Sequence, residues 1–227
     1  MKPILFNTEM VREILEGRKT VTRRVVKPQP EGRPVPMTKD SCWPGYFAIQ
    51  GTEKVVRSPY QPGDILWVRE TWQAVYETEW SKDKETGENI RERIANFDNI
   101  SKVEAGISQE CSSETMEPRM KYFVFKASDI KYADDNNALV WRPSIHMPQE
   151  AARIFLRVTG VRVERLQKIT YDEAIREGAD RGRALNNFEW IWNHTIKPAD
   201  LSAYGWDANP WVWVIEFKRC DRPRDEA

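Results

Sequence analysis

Apolar and polar residues alternate along several stretches of the chain, and this pattern predicts β-strands. The clearest alternation runs over 210–219, where tryptophan, isoleucine or phenylalanine occupies every second position. A second long strand is predicted over 152–166, and Gly160 within it indicates a bulge or a sharp bend. Shorter apolar runs with strand character lie at 2–6, 20–26, 65–68 and 122–126.

Helical periodicity predicts two or three short helices. Asn7 or Thr8 caps the first, whose apolar residues follow helical spacing. The sequence Thr170-Tyr171-Asp172-Glu173 matches a capping box and begins a second helix, which Gly178 ends. An aromatic-rich helix is predicted over 185–196. These elements together indicate an α+β fold, built on a small mixed or antiparallel β-barrel with flanking helices.

Two polar stretches interrupt this pattern. Prolines follow the strand at 20–26, and we predict a polar, irregular loop from there to about Ser58. The stretch 76–120 is charged and poor in apolar clusters, so we predict a long insertion with one short helix around 90–97. Neither an internal repeat nor a domain linker stands out. We therefore predict one domain over 1–227 that carries this insertion.

Charge and cysteine content narrow the choice of function. Basic and acidic residues number 35 each, so no net field attracts a polyanion, and nucleic-acid binding would need a local basic patch. Cys42, Cys111 and Cys220 match neither a metal-ligand pattern nor an even disulfide framework, which indicates a reducing cytoplasm. No apolar run reaches the roughly 18 residues of a membrane span. We predict a cytoplasmic protein without membrane contact.

The densest group of polar side chains is Gly17-Arg18-Lys19-Thr20-Val21-Thr22-Arg23-Arg24, directly after the first predicted helix. This composition fits a polar site, but a solvated strand edge has the same composition. Lys19 can also offset the dipole of the preceding helix. Residues three apart on a regular strand face opposite sides. Lys19 and Thr22 can therefore share a pocket only if Lys19 lies in the turn or the strand bulges.

The motif Gly17-x-Lys19-x-x-Thr22-x-Arg24, followed by Pro62-Gly63-Asp64-Ile65-Leu66-Trp67-Val68, resembles the ASCH domain, a relative of the PUA domain of RNA-modifying enzymes. The commonest form of that motif has glutamate where this chain has Thr22. Threonine at this place resembles a bacterial subgroup of N4-acetylcytidine amidohydrolases. The chain as a whole resembles the longer phage-encoded ASCH proteins. The resemblance implies a PUA-like fold.

The resemblance also implies a catalytic set. In that subgroup a lysine, a threonine and a later glutamate carry catalysis, which corresponds to Lys19, Thr22 and Glu177 here. A threonine hydroxyl needs an adjacent base, and a lysine can serve when desolvation lowers its pKa. Glu177 would orient the lysine or carry a proton to the leaving amine. Each of these residues also has an ordinary structural role open to it.

Six further residues are candidates for substrate binding. Arg24 can bind a phosphate or carbonyl oxygen, and it can equally pair with a surface carboxylate. The other five candidates are Arg23, Trp67, Glu70, Arg142 and His146. Glu70 has a salt bridge as its structural alternative, and His146 has packing or hydrogen bonding. Because the chain has two histidines and no ligand partners near them, we expect no metal and no cofactor.

Two functions compete at this point, with a third between them. The first is an amidohydrolase that acts on an acylated pyrimidine nucleoside. The second is a PUA-like module that binds RNA or a modified base through Arg23, Arg24, Lys27, Arg142 and an exposed tryptophan. The third is RNA cleavage, which some ASCH relatives perform. Zero net charge fits a nucleoside-sized ligand better than a long polymer, so we favour the enzyme.

Overall fold

A computed structural model describes residues 1–37, 45–76, 78–82, 86, 89–93, 107–111, 118–128 and 141–223. The strands of this part are β1 (Lys2–Leu5), β2 (Val21–Val25), β3 (Pro34–Pro36), β4 (Tyr46–Ile49), β5 (Val55–Arg57), β6 (Ile65–Arg69), β7 (Trp72–Tyr76), β8 (Thr78–Lys82), β9 (Asn89–Arg93), β10 (Ile107–Cys111), β11 (Pro118–Phe125), β12 (Phe155–Arg165) and β13 (Trp211–Cys220). The α-helices are α1 (Thr8–Leu15), α2 (Tyr171–Arg176), α3 (Ala184–Thr195) and α4 (Leu201–Tyr204).

A five-stranded sheet is the largest element of the described part, with the order β1-β6-β12-β13-β2. β13 runs antiparallel to both β12 and β2. The register between β12 and β13 shifts between Val158 and Gly160, which confirms the predicted irregularity. Across the described residues the sheet is open, with β1 and β2 at its edges, and does not close into the barrel that the sequence predicts. The α+β class is confirmed.

The two faces of β2 carry different residues. Val21, Arg23 and Val25 share one face, because side chains alternate along a strand. This face is covered by α2 and α3, and the core beneath them comprises Val21, Leu166, Ile169, Ala174, Ala179, Ala184, Phe188, Trp192, Val212 and Val214. We call it the helix-covered face. Thr22 and Arg24 lie on the opposite face of the strand, next to Ile215 and Trp213 of β13.

A second, three-stranded sheet has the order β3-β4-β5. It lies where the sequence predicts an irregular loop up to Ser58, so that prediction was wrong for these strands. The strands have only three or four residues each and are separated by glycines and prolines, so they contain too few residues to show a period. The ring of Phe47 on β4 makes an edge contact with Trp213, with 5.1 Å between ring centroids.

The predicted insertion at 76–120 contains strands where the structure describes it. β10, β11 and β7 form one sheet, and β8 pairs with β9. The predicted helix around 90–97 was wrong for its first residues, which belong to β9, and 94–97 lie outside the described residues. No helix in the described part of the chain is long and apolar enough to cross a membrane.

The chain divides into two compact units. The first unit comprises Met1–Lys2, Glu13–Leu66 and Phe155–Asp221. The second comprises Pro3–Arg12, Trp67–Ile154 and Arg222–Ala227. The single domain over 1–227 stays a prediction.

Candidate functional site

Lys19 lies in the turn between α1 and β2, as a shared pocket with Thr22 requires. Gly17 allows the chain to turn there, since its φ is +76°, a conformation that favours glycine. The backbone amide of Lys19 donates to the carbonyl of Glu13, 3.0 Å away, and ties the turn back to the end of α1. The side chain of Lys19 is fully enclosed, with 0% exposed.

The Lys19 amine is surrounded by three oxygen acceptors. Nζ lies 2.8 Å from Oε2 of Glu177 and 2.7 Å from the backbone carbonyl of the same residue. It also donates to the carbonyl of Val21, at 2.9 Å. That carbonyl belongs to the peptide bond that leads into Thr22, so the amine lies at the edge of β2. Three acceptors match the three N–H groups of an ammonium ion.

Burial and neighbouring charges act on this amine in opposite directions. Burial is the largest influence and lowers the pKa of Lys19, because the charged form loses its hydration. The Glu177 carboxylate opposes this shift, whereas the charges of Arg24 and Arg23 add to it. The net pKa of Lys19 is lowered. A lysine in this environment gives up its proton more readily than one in water.

Glu177 reaches Lys19 because of how α2 begins and ends. Thr170 and Glu173 form the predicted capping box at its start, and Glu177 is the C-cap residue. Gly178 follows with a φ of +96°, which ends the helix and leaves the Glu177 side chain beside Lys19. These interactions join residues that are 158 positions apart in the chain.

Replacing Gly178 with alanine should destabilise the protein more than the same change at Gly17. Both glycines have a positive φ, which costs an alanine about 1–2 kcal/mol. At Gly178 a new Cβ would also lie 3.1 Å from Cγ of Glu13, whereas at Gly17 nothing lies within 4 Å. Urea unfolding of the two variants measures the difference. Equal losses in the free energy of unfolding would show that the Glu13 side chain can move away from the new Cβ without destabilising the fold.

Arg23 connects this pair to a larger ionic network on the helix-covered face. Its Nη1 lies 3.1 Å from Oε1 of Glu177, and its Nη2 lies 2.6 Å from Glu164 and 2.9 Å from Glu173. The side chain of Arg23 is 0% exposed. Arg23 therefore binds three glutamates inside the protein and does not lie at a surface.

The network continues from Arg23 towards solvent. Arg162 pairs with Glu164, Glu173 and Glu216. Its side chain is 37% exposed, whereas the side chain of Arg23 is fully buried. Arg176 completes the network at a distance of 3.9 Å from Glu216. Sequence reasoning did not find Arg162 and Glu164, because their alternation with valines on β12 is typical of a solvent-facing strand surface. The capping box was the available signal, since it identifies the helix that covers them.

Glu173 should contribute to stability at neutral pH and lose that contribution in acid. Burial raises the pKa of Glu173, but the hydrogen bond from the Thr170 amide and the charges of Arg23 and Arg162 outweigh it, so the net shift is downward. A carboxyl with a lowered pKa stabilises the fold above its unfolded value, about 4.3, and ceases to do so as pH falls through the folded value. Urea unfolding between pH 7 and 3 should show a weaker pH dependence for Glu173→Gln. Glu53→Gln, at an exposed position, is the matched control, and equal slopes for both variants would contradict this.

Thr22 and Arg24 lie on the other face of β2. Thr22 is buried opposite Ile215, and Arg24 is opposite Trp213. Burial lowers the pKa of Arg24, and the neighbouring Tyr60 and Glu177 oppose that shift. Arg24 is thus electrostatically coupled to Glu177 and to Tyr60. The structure brings Lys19, Glu177 and Arg23 together, and the charges of Arg24 and Arg23 act on Lys19. Thr22 follows Val21, whose carbonyl binds the Lys19 amine, and its side chain lies on the face opposite Arg23.

A hollow of about 140 Å³ lies close to Tyr60, in the first unit. Val161, whose partner on β13 is Ile215, lines it from the face that carries Thr22 and Arg24. Its other walls include Met37, Tyr46, Phe47, Ser58 and Tyr60. The lining of the hollow therefore combines aromatic side chains with polar groups. Sequence reasoning missed it, because most of its residues come from the stretch predicted as an irregular loop.

The remaining predicted site residues belong to the second unit. Glu70 is buried and forms a bidentate pair with Arg153, which is the structural role open to it. Trp67 is buried beneath the guanidinium of Arg69, 4.9 Å from the ring centroid. Arg142 lies over Trp72, and His146 is exposed in a short 3-10 helix.

The described residues offer no metal site, and the comparisons with known proteins found no match. Among the described residues, no group of three or more histidine, cysteine, aspartate or glutamate side chains could hold a metal ion. No family model, curated protein sequence or solved structure matches the chain. Function must therefore be argued from the site itself.

Proposed function

We propose that the protein is an amidohydrolase that removes the acyl group from the exocyclic nitrogen of an acylated pyrimidine nucleoside such as N4-acetylcytidine. The observation that carries the proposal is the enclosed Lys19 amine, held by Glu177 at 2.8 Å and bound to the carbonyl that precedes Thr22. The resemblance of Gly17-x-Lys19-x-x-Thr22-x-Arg24 to the amidohydrolase subgroup of ASCH proteins supports the substrate class. The proposal includes a PUA-like fold, for which the long, bulged strand β12 is the main support.

Lys19 is the proposed general base and Thr22 the proposed nucleophile. Neutral Lys19 takes the proton of the Thr22 hydroxyl, and Oγ1 of Thr22 attacks the acyl carbon. A neutral amine has two N–H groups and one lone pair, so Lys19 must give up one of its three acceptors to accept this proton. Burial lowers the pKa of Lys19 and so favours the neutral form that this step needs.

The amide bond then breaks and the proton on Lys19 passes to the leaving nitrogen. The products of this step are the free nucleoside amine and an acyl ester on Thr22. Water hydrolyses that ester, with Lys19 again as the base, and releases the carboxylic acid. Glu177 holds the lysine in place throughout. Arg24, on the same strand face as Thr22, is the proposed donor to the oxyanion that forms on the acyl oxygen.

The aromatic hollow is the proposed place for the pyrimidine ring. Tyr46, Phe47 and Tyr60 offer faces and edges against which a flat ring can pack. Pockets for drug-sized ligands have about 300–1,000 Å³, so a hollow of about 140 Å³ suits a single ring. The charges of Tyr60, which lines the hollow, and of Glu177 both oppose the lowering of the Arg24 pKa, and this supports one site that includes the hollow and the Lys19 pair.

Incubation of the purified protein with N4-acetylcytidine tests this function directly. Chromatography should show cytidine and acetate forming in equal amounts, at a rate proportional to enzyme concentration. Acylated nucleosides with longer chains, offered in parallel, define the acyl group that is preferred. Absence of turnover with all of these substrates would refute the amidohydrolase proposal.

A binding module is the second candidate, and one observation favours it. The three acceptors around Lys19 satisfy an ammonium ion completely, so the site can also hold a ligand without reacting. Two of the cations proposed for RNA binding are poorly placed to contact phosphates. Arg23 is enclosed, and Lys27 lies over the Tyr204 ring. Among the tryptophans whose exposure the structure describes, Trp190, 59% exposed, fits the stacking role. Equilibrium dialysis of N4-acetylcytidine, gel shifts with structured RNA over a salt series, and an RNA-cleavage assay separate binding and RNA cleavage from hydrolysis.

A further inference from the structure

We propose that Arg23 is a positioning residue, which holds the Glu177 carboxylate against Lys19 and so tunes the base without touching the substrate. This inference rests on the proposed function. It replaces the direct contact with substrate that the sequence suggests for Arg23. It is carried by the contacts of the enclosed guanidinium group.

Glu177 is shared between two cations, one at each carboxylate oxygen. Oε2 binds Lys19 at 2.8 Å, and Oε1 binds Arg23 at 3.1 Å. Since Glu177 is almost fully buried, neither oxygen can replace its partner with bulk water. Arg23 therefore fixes the orientation of the carboxylate and takes up part of its negative charge. Lys19 receives only the remaining part.

Arg23 is itself held in place by the far side of the network. Glu164 binds its Nη2 at 2.6 Å, and Glu173 binds the same nitrogen at 2.9 Å. Both glutamates also bind Arg162, so Arg23 is attached to β12 and α2 at once. The side chain projects onto the helix-covered face, opposite to the face of Thr22. A substrate that reacts with Thr22 has no access to it.

The charges of the network balance, and the loss of Arg23 would upset the balance next to Lys19. The cations Lys19, Arg23, Arg162 and Arg176 number four, and the carboxylates Glu164, Glu173, Glu177 and Glu216 number four, so the net charge is 4 − 4 = 0. Without Arg23 it becomes −1. An excess negative charge favours the protonated, inactive form of Lys19.

The groups that face Lys19 can be named from each neighbouring element. Glu177 at the end of α2 favours its charged form, and Arg23 and Arg24 on β2 disfavour it. On α1, Glu13 is engaged with Arg18. On β13, Glu216 is engaged with Arg162 and Arg176. Arg23 also binds Glu177 directly, at 3.1 Å.

Two substitutions should shift the pKa of Lys19 in opposite directions. Arg23→Met should move the rising limb of the kcat–pH profile upward by about one pH unit, so that kcat near neutrality falls about tenfold while KM stays within about twofold. Glu164→Gln removes a carboxylate that neutralises Arg23 but does not contact Glu177. It should move the rising limb of the kcat–pH profile to lower pH. Arg23→Lys keeps the charge and should recover part of kcat. Lys54→Met, whose exposed pair with Glu31 lies outside the network, is the matched control and should leave the profile unchanged.

A titration without substrate separates this inference from the proposed function. NMR of protein labelled with ¹³C-lysine follows the protonation of Lys19, whose signal is assigned by its absence in Lys19→Arg. The midpoint of the Lys19 titration should move to higher pH in Arg23→Met and to lower pH in Glu164→Gln. Unchanged titrations would refute the inference even if the enzyme is active, and a raised KM with an unchanged profile would assign Arg23 to substrate binding. If wild type hydrolyses no substrate, the proposed function fails while the titration still decides the role of Arg23. If Arg23→Met does not fold, Glu164→Gln decides alone.

Discussion

Thr22→Val should abolish hydrolysis of N4-acetylcytidine, with a loss in kcat of about 10²–10⁴-fold or more, whereas Thr22→Ser should retain much of it. Valine has nearly the shape of threonine and suits a buried strand position, so the fold should be preserved while the nucleophilic oxygen is lost. Serine restores that oxygen. Steady-state kinetics measure the loss, and circular dichroism confirms that both variants are folded.

Thr20→Val is the matched control for this substitution. The Thr20 hydroxyl accepts a hydrogen bond from Nε of Arg176, 3.1 Å away, and has no part in the proposed chemistry. The Thr20→Val variant should therefore retain a kcat within a fewfold of that of the wild type. Full activity of Thr22→Val would exclude the covalent route and leave Lys19 to activate a water molecule directly.

Arg153→Leu should lower the free energy of unfolding by about 3–5 kcal/mol, because it leaves the buried carboxylate of Glu70 without its partner. Arg153 binds both oxygens of Glu70, at 2.9 and 3.0 Å, and donates to Ser128 at 2.7 Å. Its guanidinium also lies 4.2 Å from the centroid of the Phe125 ring. Urea unfolding followed by tryptophan fluorescence measures the loss.

The pH dependence of this loss follows from the Glu70 carboxyl. Burial raises its pKa, and Arg153 opposes the shift, so the pKa rises further in Arg153→Leu. A group with a raised folded pKa destabilises the fold as pH rises above its unfolded value, about 4.3. The loss should therefore be largest at neutral pH and smaller near pH 5.

The double variant with Glu70→Gln and Arg153→Leu is the control, since it removes the isolated charge. It should be more stable at pH 7 than Arg153→Leu alone, and the difference gives the coupling of the pair. If the double variant were no more stable than the single one, the loss would come from packing against Phe125.

Long strands and capped helices were the parts of the fold that could be predicted. β12 and β13 alternate over ten residues or more, and Thr170 with Glu173 marks the start of α2, which in turn locates Glu177. β3 and β5 could not be found, because three residues do not define a period. Ordinary propensities do not indicate which helix covers a strand face.

The candidate site could be predicted only in part for the same reason. The position of Lys19 in a turn follows from Gly17, and its separation from Thr22 along a regular strand was the main objection to a shared site. In the structure the Lys19 amine donates to the carbonyl of Val21 at the edge of β2, whereas the Thr22 side chain lies on the face opposite Arg23. The shared site of Lys19 and Thr22 therefore stays a prediction. Arg162 and Glu164 look solvent-facing by alternation, and only the tertiary position of α2 turns them into partners of Arg23.

The contact between Lys19 and Val21 also occupies a backbone group at the open edge of the sheet. β2 is the last strand of its sheet, and an edge strand offers backbone groups to which a strand of another molecule can add. Here the Val21 carbonyl is occupied by the Lys19 amine, and the preceding amide of Thr20 donates to Arg176 at 2.9 Å. An incoming strand finds neither group available at this end of β2. Lys19, which we propose as the base, thus occupies a backbone carbonyl with which a strand of another molecule would otherwise pair.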